Sequence, residues 1–408
     1  MNAGERPELS GAGPEAAQRW AIVADDLTGA ADSAVGFADA GHLAAILLDG
    51  FHAGETAEIE TLLQQPEPPE VLVTSTGVRG AAEAEAEDRT RGAVRAMREL
   101  GATRLFLKID SAGRGPIAAE IAGALSAWSQ GGTEARAVVC PAYPHFGRQV
   151  IGGQLLINGA PLADSATAQD PVSPRDEGDL TVVIPGAQRA AFPDRDPVRL
   201  AIVDAENDGD LHRIAGGLAA APPEVIAVGS GGLAAALGRE VGTLAGPTEV
   251  TIDAVEREAP ADPASVSDDR PARTVVAVSS QHPISLAQVR KLTAAGLPDT
   301  EIVLPQVPGE ISLEAAVADF VHRVRAAVRR PGDLDLVLVG GDGAGVILDA
   351  LGAKALVVRR TLIDGCPLST ILGGDADGMR VVTKSGGFGT AETLVDIVGR
   401  LRRPGQRA

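Results

Sequence analysis

The chain has 408 residues, 45% of them hydrophobic, which is more than one ordinary core needs and enough for two or three domains. Its 55 acidic and 36 basic side chains give a net charge of −19, which argues against a nucleic-acid partner because the surface repels phosphate. No apolar run could span a membrane, and two distant cysteines predict neither a disulfide framework nor a metal site.

The first part of the chain alternates short apolar runs with helical patterns, which predicts an α/β fold with mostly parallel strands. Residues 1–20 carry three glutamates and no apolar run, so we expect a disordered leader rather than a secretory signal, and a cytoplasmic enzyme. Strands are predicted over residues 21–24, 43–48, 71–74, 104–109, 137–140, 200–203 and 225–228. Helices are predicted over residues 28–40 and 80–100, with another beginning near Gly115. The Gly- and Pro-rich segment 141–174 is too long for an idle connection and predicts a functional loop or hairpin.

A change in composition divides the chain. Residues 242–272 are rich in Pro, Asp and Glu and lack periodicity, which is typical of a linker between domains. After it, strands are predicted over residues 274–278, 301–304, 334–339, 355–358 and 380–383, and helices over residues 284–295, 313–329, 344–351 and 391–401. The sequence thus predicts two α/β domains, 21–241 and 273–408, each a mostly parallel sheet flanked by helices.

Two carboxylates, Asp25 and Asp26, follow the first predicted strand and stand just before a helix. In open parallel sheets, ligands bind beyond the carboxyl ends of the strands. Thr28 and Gly29 would leave backbone N–H groups free at the helix N-terminus, where they can hold an anion. One aspartate could serve only as the N-cap of that helix, but two of them, with Asp32 one turn later, favour a functional site.

Basic residues follow two further strands. Lys108 and Asp110 alternate at a strand end, and Arg114 follows in a turn, where its guanidinium could bind a carboxylate or phosphate. The same residues could instead form a surface ion pair of little energetic value. In the following loop, Arg148 suggests substrate binding, whereas His145 is either a general base or, as is commoner, a solvated histidine.

Two glycine-rich turns follow strands of the second domain, at residues 340–345 and 384–389. Such turns can hold phosphate groups with backbone N–H groups, and Lys384 could meet a phosphate as a point charge. Neither turn matches the P-loop or the dinucleotide fingerprint, and each alone could be an ordinary tight turn. Together they indicate a nucleotide site.

In their order along the chain, these motifs resemble the four-carbon acid sugar kinase family, which includes threonate, erythronate and 3-oxo-tetronate kinases. The resemblance extends from residue 21 to about residue 401 and implies a substrate domain, then a nucleotide domain, with the active site in the cleft between them. It implies ATP, Mg²⁺ and a small sugar acid as ligands, with Asp26 or Asp25 accepting the proton of the substrate hydroxyl. The substrate contacts it implies are Thr28, Gly29, Arg79, Lys108, Asp110 and Arg114. The nucleotide contacts it implies are Ser280, Gly340, Gly341, Asp342, Gly343, Lys384, Gly386 and Gly387.

Some positions depart from the family pattern. Val78 stands where the family has Ser before Arg79, and Gly343 where it has Ser or Thr. A Gly-Ser turn reads Ser279-Ser280, and Thr361 replaces an acidic residue. These changes leave open a diverged sugar-acid-binding homologue with an altered nucleotide site.

A nicotinamide-dependent dehydrogenase is a second alternative, but the first strand lacks the dinucleotide fingerprint after it. The sequence leaves open which sugar acid and hydroxyl react, what binds the Mg²⁺, and whether the chain forms a homodimer.

Overall fold

The computed structural model describes residues 18–48, 57–65, 67–169, 173–194, 198–245, 273–305, 312–329 and 334–402. The predicted leader lies outside the described residues up to residue 17, and Trp20 already begins a strand. The predicted linker lies outside them from residue 246 onward, whereas its first four residues, 242–245, belong to a helix. Among the described helices, none has the length and apolar character needed to cross a membrane.

In the first part of the chain, the strands are β1 (Trp20–Ala24), β2 (Ala44–Leu47), β3 (Val71–Ser75), β4 (Arg104–Lys108), β5 (Arg136–Cys140), β6 (Arg148–Ile151), β7 (Gln154–Ile157), β8 (Ala160–Pro161), β9 (Gln188–Arg189), β10 (Leu200–Ile202) and β11 (Val225–Gly229). The helices are α1 (Leu27–Ala38), α2 (Ala57–Leu63), α3 (Glu83–Glu99), α4 (Ile117–Trp128), α5 (Leu180–Val183), α6 (Asp208–Ala220) and α7 (Gly231–Ala245). The sequence prediction omitted α2, α5, α6 and α7, although Asn207 and Asp210 form a capping box at the start of α6.

In the second part, the strands are β12 (Arg273–Val278), β13 (Thr300–Val303), β14 (Leu334–Val339), β15 (Ala355–Ile363), β16 (Cys366–Leu372) and β17 (Arg380–Lys384). The helices are α8 (Pro283–Ala295), α9 (Leu313–Val328), α10 (Gly341–Ala350) and α11 (Thr393–Leu401). The prediction ended β15 five residues early and missed β16, in which Pro367 interrupts the strand pattern. Every other predicted strand is confirmed to within one residue at either end.

The predicted α/β fold class is confirmed, and the strands of both parts join in one 14-stranded sheet. Its strand order is β13-β12-β14-β17-β16-β15-β2-β3-β1-β4-β11-β5-β10-β9. Strands such as β1 and β4 are buried along their whole length because helices cover both faces of a parallel sheet. The two parts meet where β15 pairs antiparallel with β2, from Ala355 opposite Leu47 to Val358 opposite Ala44.

The segment predicted as a functional loop or hairpin forms a short 3₁₀ turn, Pro144–Phe146, followed by an antiparallel sheet of β6, β7 and β8. Asn158 and Gly159 both have positive φ, 52° and 77°, as the Asn-Gly signal for a tight hairpin predicts. This small sheet lies outside the main sheet and positions Tyr143, Phe146 and Arg148 beside the cleft described below.

Candidate active site

A cavity of about 370 Å³ is lined by residues from both parts of the chain. Its charged lining comes from the first part: Asp26, Asp32, Arg79, Lys108, Asp110, Arg114 and Arg148. The second part contributes His282, Ser385, Gly387, Phe388 and Gly389. The cleft that the sequence predicted between two domains therefore coincides with a cavity in the fold.

Asp26 is the N-cap of α1 and also lines the cavity. Capping the helix therefore does not exclude contact with a ligand in the cavity. Its Oδ1 accepts from the Gly29 amide at 2.7 Å, and its Oδ2 accepts from the Thr28 hydroxyl at 2.7 Å and from Arg79 Nη1 at 2.8 Å. Burial alone would raise the pKa of Asp26, but the charges of Arg79 and Lys108 and these hydrogen bonds hold it below its usual value. Asp26 is thus a carboxylate at neutral pH.

Asp25 lies deeper than Asp26. Its side chain is 0% exposed against 13% for Asp26, and its Oδ2 accepts from Arg79 Nε at 2.8 Å. Oδ1 has no hydrogen-bond partner and lies 4.0 Å from Lys108 Nζ. Burial raises the pKa of Asp25, although Arg79 and Lys108 oppose it. Of the two aspartates, only Asp26 lines the cavity among the described residues.

The loop that carries Arg79 is fixed to β1 by its backbone. Val78, which replaces the serine of the family pattern, is buried, and its N–H donates to the Asp25 carbonyl at 3.0 Å. Arg79 Nη2 also lies 3.5 Å from Asp110 Oδ1, so one guanidinium contacts three carboxylates. The burial of Val78 keeps this loop in place without a hydroxyl.

Arg114 is placed differently from the expectation that its guanidinium would grip a substrate carboxylate with two N–H groups. Its Nε and Nη2 donate to the two oxygens of Asp110, at 2.9 and 2.8 Å. Burial would raise the pKa of Asp110, but the charges of Arg79 and Arg114 hold it well below its usual range. This edge of Arg114 is therefore used inside the protein, although the residue still lines the cavity.

Arg148 reaches the cavity from β6 and is absent from the substrate contacts that the family resemblance implied. Its Nη1 donates to the Phe146 carbonyl, while its buried Nε has no hydrogen-bond partner. Burial lowers the pKa of Arg148, and a guanidinium with an unsatisfied N–H beside a cavity favours an anionic ligand. The Gly147-Arg148 pair had suggested a substrate loop, and this was the signal available in the sequence.

Two further carboxyl groups have a raised pKa: Asp32, which lines the cavity, and Glu120, which does not. Burial raises the pKa of Asp32 to about 6, against the opposing charge of Lys108, and a Cβ at Gly231 would overlap its carboxylate. Glu120 lies on α4 and is 1% exposed, and its Oε1 has no hydrogen-bond partner. Burial raises the pKa of Glu120 well above its usual value, with the charge of Asp25 adding to the effect. No sequence pattern marks Glu120, because its burial depends on how α4 packs.

On the opposite side, the N-terminus of α10 approaches the carboxylates. Gly340 is its N-cap with φ 103°, and a Cβ on Gly341 would lie 3.4 Å from both Asp26 Oδ2 and the Thr28 side chain. The predicted nucleotide turn is thus next to the predicted catalytic aspartate. Asp342, in the first turn of α10, is exposed and does not line the cavity.

Serine side chains fill the spaces beside the glycines of the second part. A Cβ at Gly343 would overlap the side chain of Ser279, and a Cβ at Gly386 would overlap that of Ser280. The missing side chain at position 343 is therefore matched by an extra side chain at position 279. Thr361, the other departure on this side, does not line the cavity, and its N–H donates to Asp39 Oδ1 at 2.8 Å.

The loop after β17 is held from behind by α8. Ser285 Oγ donates to the Gly386 carbonyl at 2.7 Å, and Gln288 Nε2 donates to the carbonyls of Phe388 and Thr390 at 3.0 and 2.7 Å. Gly387 is the one predicted nucleotide residue, among those described, that lines the cavity itself.

Lys384 differs from its predicted role as a charge exposed to phosphate. The side chain is 0% exposed and its Nζ donates to the Ser385 carbonyl at 2.8 Å. Burial lowers the pKa of Lys384 to about 8. Strand alternation directs the side chain of this last β17 residue into the protein and away from the cavity.

Taken together, these observations describe a two-part α/β protein in which a charged cavity lies next to glycine–serine turns. Residues 20–193 match the family profile of a sugar-binding N-terminal domain, and residues 239–394 match that of a nucleotide-binding C-terminal domain. The chain belongs to the four-carbon acid sugar kinase family.

Individual relatives agree with this assignment. The chain is 35% identical to a D-threonate kinase of Bordetella bronchiseptica, with 93% of this chain and 97% of the relative covered. A Bordetella bronchiseptica protein crystallised with bound citrate as a domain-swapped dimer is 31% identical, with a TM-score of 0.50, covering 95% of this chain and 100% of that one. A Salmonella typhimurium LT2 structure at 19% identity shares the fold, with a TM-score of 0.69, covering 94% of this chain and 99% of that one.

Proposed function

We propose that the protein is an ATP-dependent kinase that phosphorylates a hydroxyl group of a four-carbon sugar acid, with D-threonate as the first substrate to test. Residues 21–241 would form the substrate domain and residues 273–408 the nucleotide domain. The observation that carries the proposal is the approach of Gly341 to Asp26, because phosphoryl transfer needs the donor phosphate and the acceptor hydroxyl in direct contact. The 35% identity to a D-threonate kinase supports the choice of substrate.

The sugar acid would bind in the charged side of the cavity. Lys108 and Arg148 are the cations available for its carboxylate, since Arg114 is turned to Asp110 and Arg79 is bound to Asp25 and Asp26. Positive charge at this point is needed because the chain as a whole carries −19 and repels an anion.

Asp26 would accept the proton of the attacking hydroxyl. It lines the cavity, it is ionised, and α1 and Arg79 fix its orientation through three hydrogen bonds. Asp25 would act from behind by holding Arg79 in place. Asp26 is preferred over Asp25 because the side chain of Asp25 is fully buried.

The nucleotide phosphates would bind at the turns of Gly340–Gly341 and Gly386–Gly387. The first turn of α10 offers backbone N–H groups, and the absence of side chains lets phosphate approach the backbone. In the described residues, no group of three or more His, Cys, Asp or Glu side chains is placed to hold a metal ion. Mg²⁺ would therefore be held chiefly by phosphate oxygens and water, as it commonly is in kinases.

The alternative of a diverged homologue with an altered nucleotide site rested on several departures from the family pattern, among them Gly343 and Thr361. Ser279 places a hydroxyl in the space of a side chain at position 343, which weakens the argument for lost activity. We also propose a homodimer formed by domain exchange, because the related Bordetella protein is a domain-swapped dimer. The β2–β15 pairing would then form between two chains.

The experiment that tests the function is an ATP-consumption assay with D-threonate, D-erythronate and 3-oxo-tetronate, with the product identified by mass spectrometry. We expect ADP and a singly phosphorylated sugar acid to appear in equal amounts, fastest with D-threonate. Nucleotide binding without product from any of these acids would support the diverged homologue instead. Turnover of a different four-carbon acid would correct the substrate and leave the reaction class intact.

A further inference from the structure

Aromatic side chains join the two sides of the cleft. The rings of Phe146 and Phe388 have centroids 5.0 Å apart, and Tyr143 packs edge-on against Phe146 at 4.6 Å. The chain has only seven Phe and one Tyr, and that Tyr and two of the Phe meet here. We call Tyr143, Phe146 and Phe388 the aromatic clasp.

The end of the clasp in the first part is built into the turn that carries Arg148. Phe146 ends the 3₁₀ turn, Gly147 follows with φ 73°, and the Phe146 carbonyl accepts from Arg148 Nη1. A Cβ at Gly147 would overlap the side chain of Asn158, so the turn packs tightly against the adjoining hairpin. This hydrogen bond links the Arg148 guanidinium directly to the backbone of Phe146.

The other end of the clasp is built into the glycine loop. Gln288 fixes the Phe388 carbonyl and Ser285 fixes that of Gly386, so this loop is anchored by its backbone to α8. The ring of Phe388 reaches across the cleft from this anchored loop to Phe146, while Gly365 packs against its other edge. The ring is thus the point at which the first part of the chain contacts the proposed phosphate loop.

Hydrogen bonds that involve side chains also cross between the parts, in addition to the β2–β15 pairing and the bond from the Leu48 N–H to the Lys354 carbonyl. His145 Nε2 lies 3.2 Å from Asp364 Oδ2 with both side chains exposed, and the Thr361 N–H donates to Asp39. An exposed pair of this kind contributes little, and neither contact touches the glycine loop. The clasp joins the turn that carries Arg148 to the Gly386–Gly387 loop, whereas Gly341 approaches Asp26 at the other proposed phosphate turn.

We propose that the aromatic clasp couples the two ligand sites. A carboxylate held by Arg148 fixes Phe146 against Phe388, which holds the Gly386–Gly387 loop in the form that accepts nucleotide phosphate. This inference rests on the proposed function, because it takes a sugar acid and ATP as the ligands. The coupling must be reciprocal, and the contact energy of an aromatic pair corresponds to about a two- to tenfold effect on each affinity.

The test measures binding by calorimetry, with the non-hydrolysable β,γ-imido analogue of ATP and with D-threonate, each alone and in the presence of the other. In the wild type, each ligand should tighten the other by about two- to tenfold. The coupling ratio is the affinity for one ligand with the other present, divided by the affinity with the other absent. Phe388→Leu and Phe146→Leu should each bring the coupling ratio close to one. The double variant should lose no more coupling than either single variant. Affinity for D-threonate alone should change less than about twofold in Phe388→Leu.

Two control variants separate coupling from other effects. Phe320→Leu makes the same substitution at a buried residue of α9 outside the cavity, and Asp364→Asn weakens the exposed polar contact. Both should keep the wild-type ratio. A Phe388→Leu variant with the wild-type ratio, a wild type with no mutual effect, or an equal loss in Phe320→Leu would each overturn the inference.

The proposed function is judged separately, by product formation in the wild type. A wild type that binds both ligands with mutual tightening and forms no phosphorylated acid would overturn the function and support the coupling. A wild type that forms product while Phe388→Leu keeps the full ratio would overturn the coupling and support the function.

Discussion

The two sides of the cleft are built by opposite means. The side formed by β1, β4 and their loops consists of ionised side chains that fix one another, as Arg79 does for Asp25, Asp26 and Asp110. The side formed by β12, β14 and β17 consists of backbone turns, with Ser279 and Ser280 filling the spaces beside Gly343 and Gly386. Charge decides what the first side can bind, whereas space decides what the second side can bind. Substitutions that change charge or volume should therefore affect the two sides differently.

The largest expected effect is that of Asp26→Asn on turnover. Asparagine is as good an N-cap as aspartate, so α1 should remain intact while the proton acceptor is lost. We expect kcat to fall by about 10²- to 10⁴-fold and nucleotide affinity to change little. Steady-state kinetics and calorimetry measure the two quantities.

Asp179→Asn is the matched control, because Asp179 caps α5 in the same way and does not line the cavity. It should keep wild-type turnover. Unchanged turnover in Asp26→Asn would remove Asp26 from the mechanism and make Asp25 the next residue to test.

The next largest effect tests the side of the cleft that is built from ionised side chains. Arg148→Gln removes a cation from the cavity, and losing a charge-assisted contact corresponds to a rise in KM for the sugar acid of about 10- to 100-fold. KM for ATP should change by no more than the coupling factor proposed above. As a control, Arg136→Gln should change neither constant. Arg136 is a partly exposed residue of β5 that pairs with Glu224. The Arg114→Lys and Arg148→Gln variants are also assayed with a neutral analogue of the sugar acid. If a variant loses as much activity with the neutral analogue as with the acid, the arginine it replaces has a structural role.

Gly343→Ser tests the side of the cleft that is built from glycine turns and serine side chains. The new side chain would overlap Ser279, and overpacking of this kind costs about 1–3 kcal/mol of folding stability, so the start of α10 should shift and ATP affinity should fall. Gly345→Ser, two residues along α10 with open space around it, should bind ATP normally. Adding Ser279→Gly to Gly343→Ser should restore ATP affinity, since it returns the space. Failure of this rescue would contradict the reciprocal packing of positions 279 and 343.

The smallest effect concerns pH. Burial raises the pKa of Asp32 to about 6, so this side chain is neutral below that pH and negative above it. A sugar acid remains ionised over this range, and it should bind about three- to tenfold more weakly at pH 7.5 than at pH 5 because of the added negative charge. Asp32→Asn should remove the part of the pH dependence that comes from Asp32. Asp25 and Glu120 are unchanged in this variant. Affinity measured by calorimetry across the range gives the result, and an unchanged pH profile in the variant would exclude Asp32 as its source.

Most strands of the main sheet, and the residues at their ends, were predictable from local patterns in the sequence. Runs such as residues 225–228 are apolar throughout because both faces of the sheet are covered, so their position is a local property. Asp25, Asp26, Lys108 and the glycine turns follow such strands directly, and their neighbourhood in a cleft was predicted from that placement.

Tertiary structure alone decided how these residues pair. The fork of Arg114 on Asp110, the burial of Glu120 and the inward direction of Lys384 depend on which side chains meet once helices pack on the sheet. Likewise, Ser279 and Gly343 are 64 positions apart and Phe146 and Phe388 are 242 apart, and no local pattern links either pair. Sequence patterns record which residues stand at the end of a strand or in a turn, because backbone geometry is local. Which charge meets which, and which side chain fills which space, is set by long-range packing, and it is this packing that brings the two parts of the cleft together.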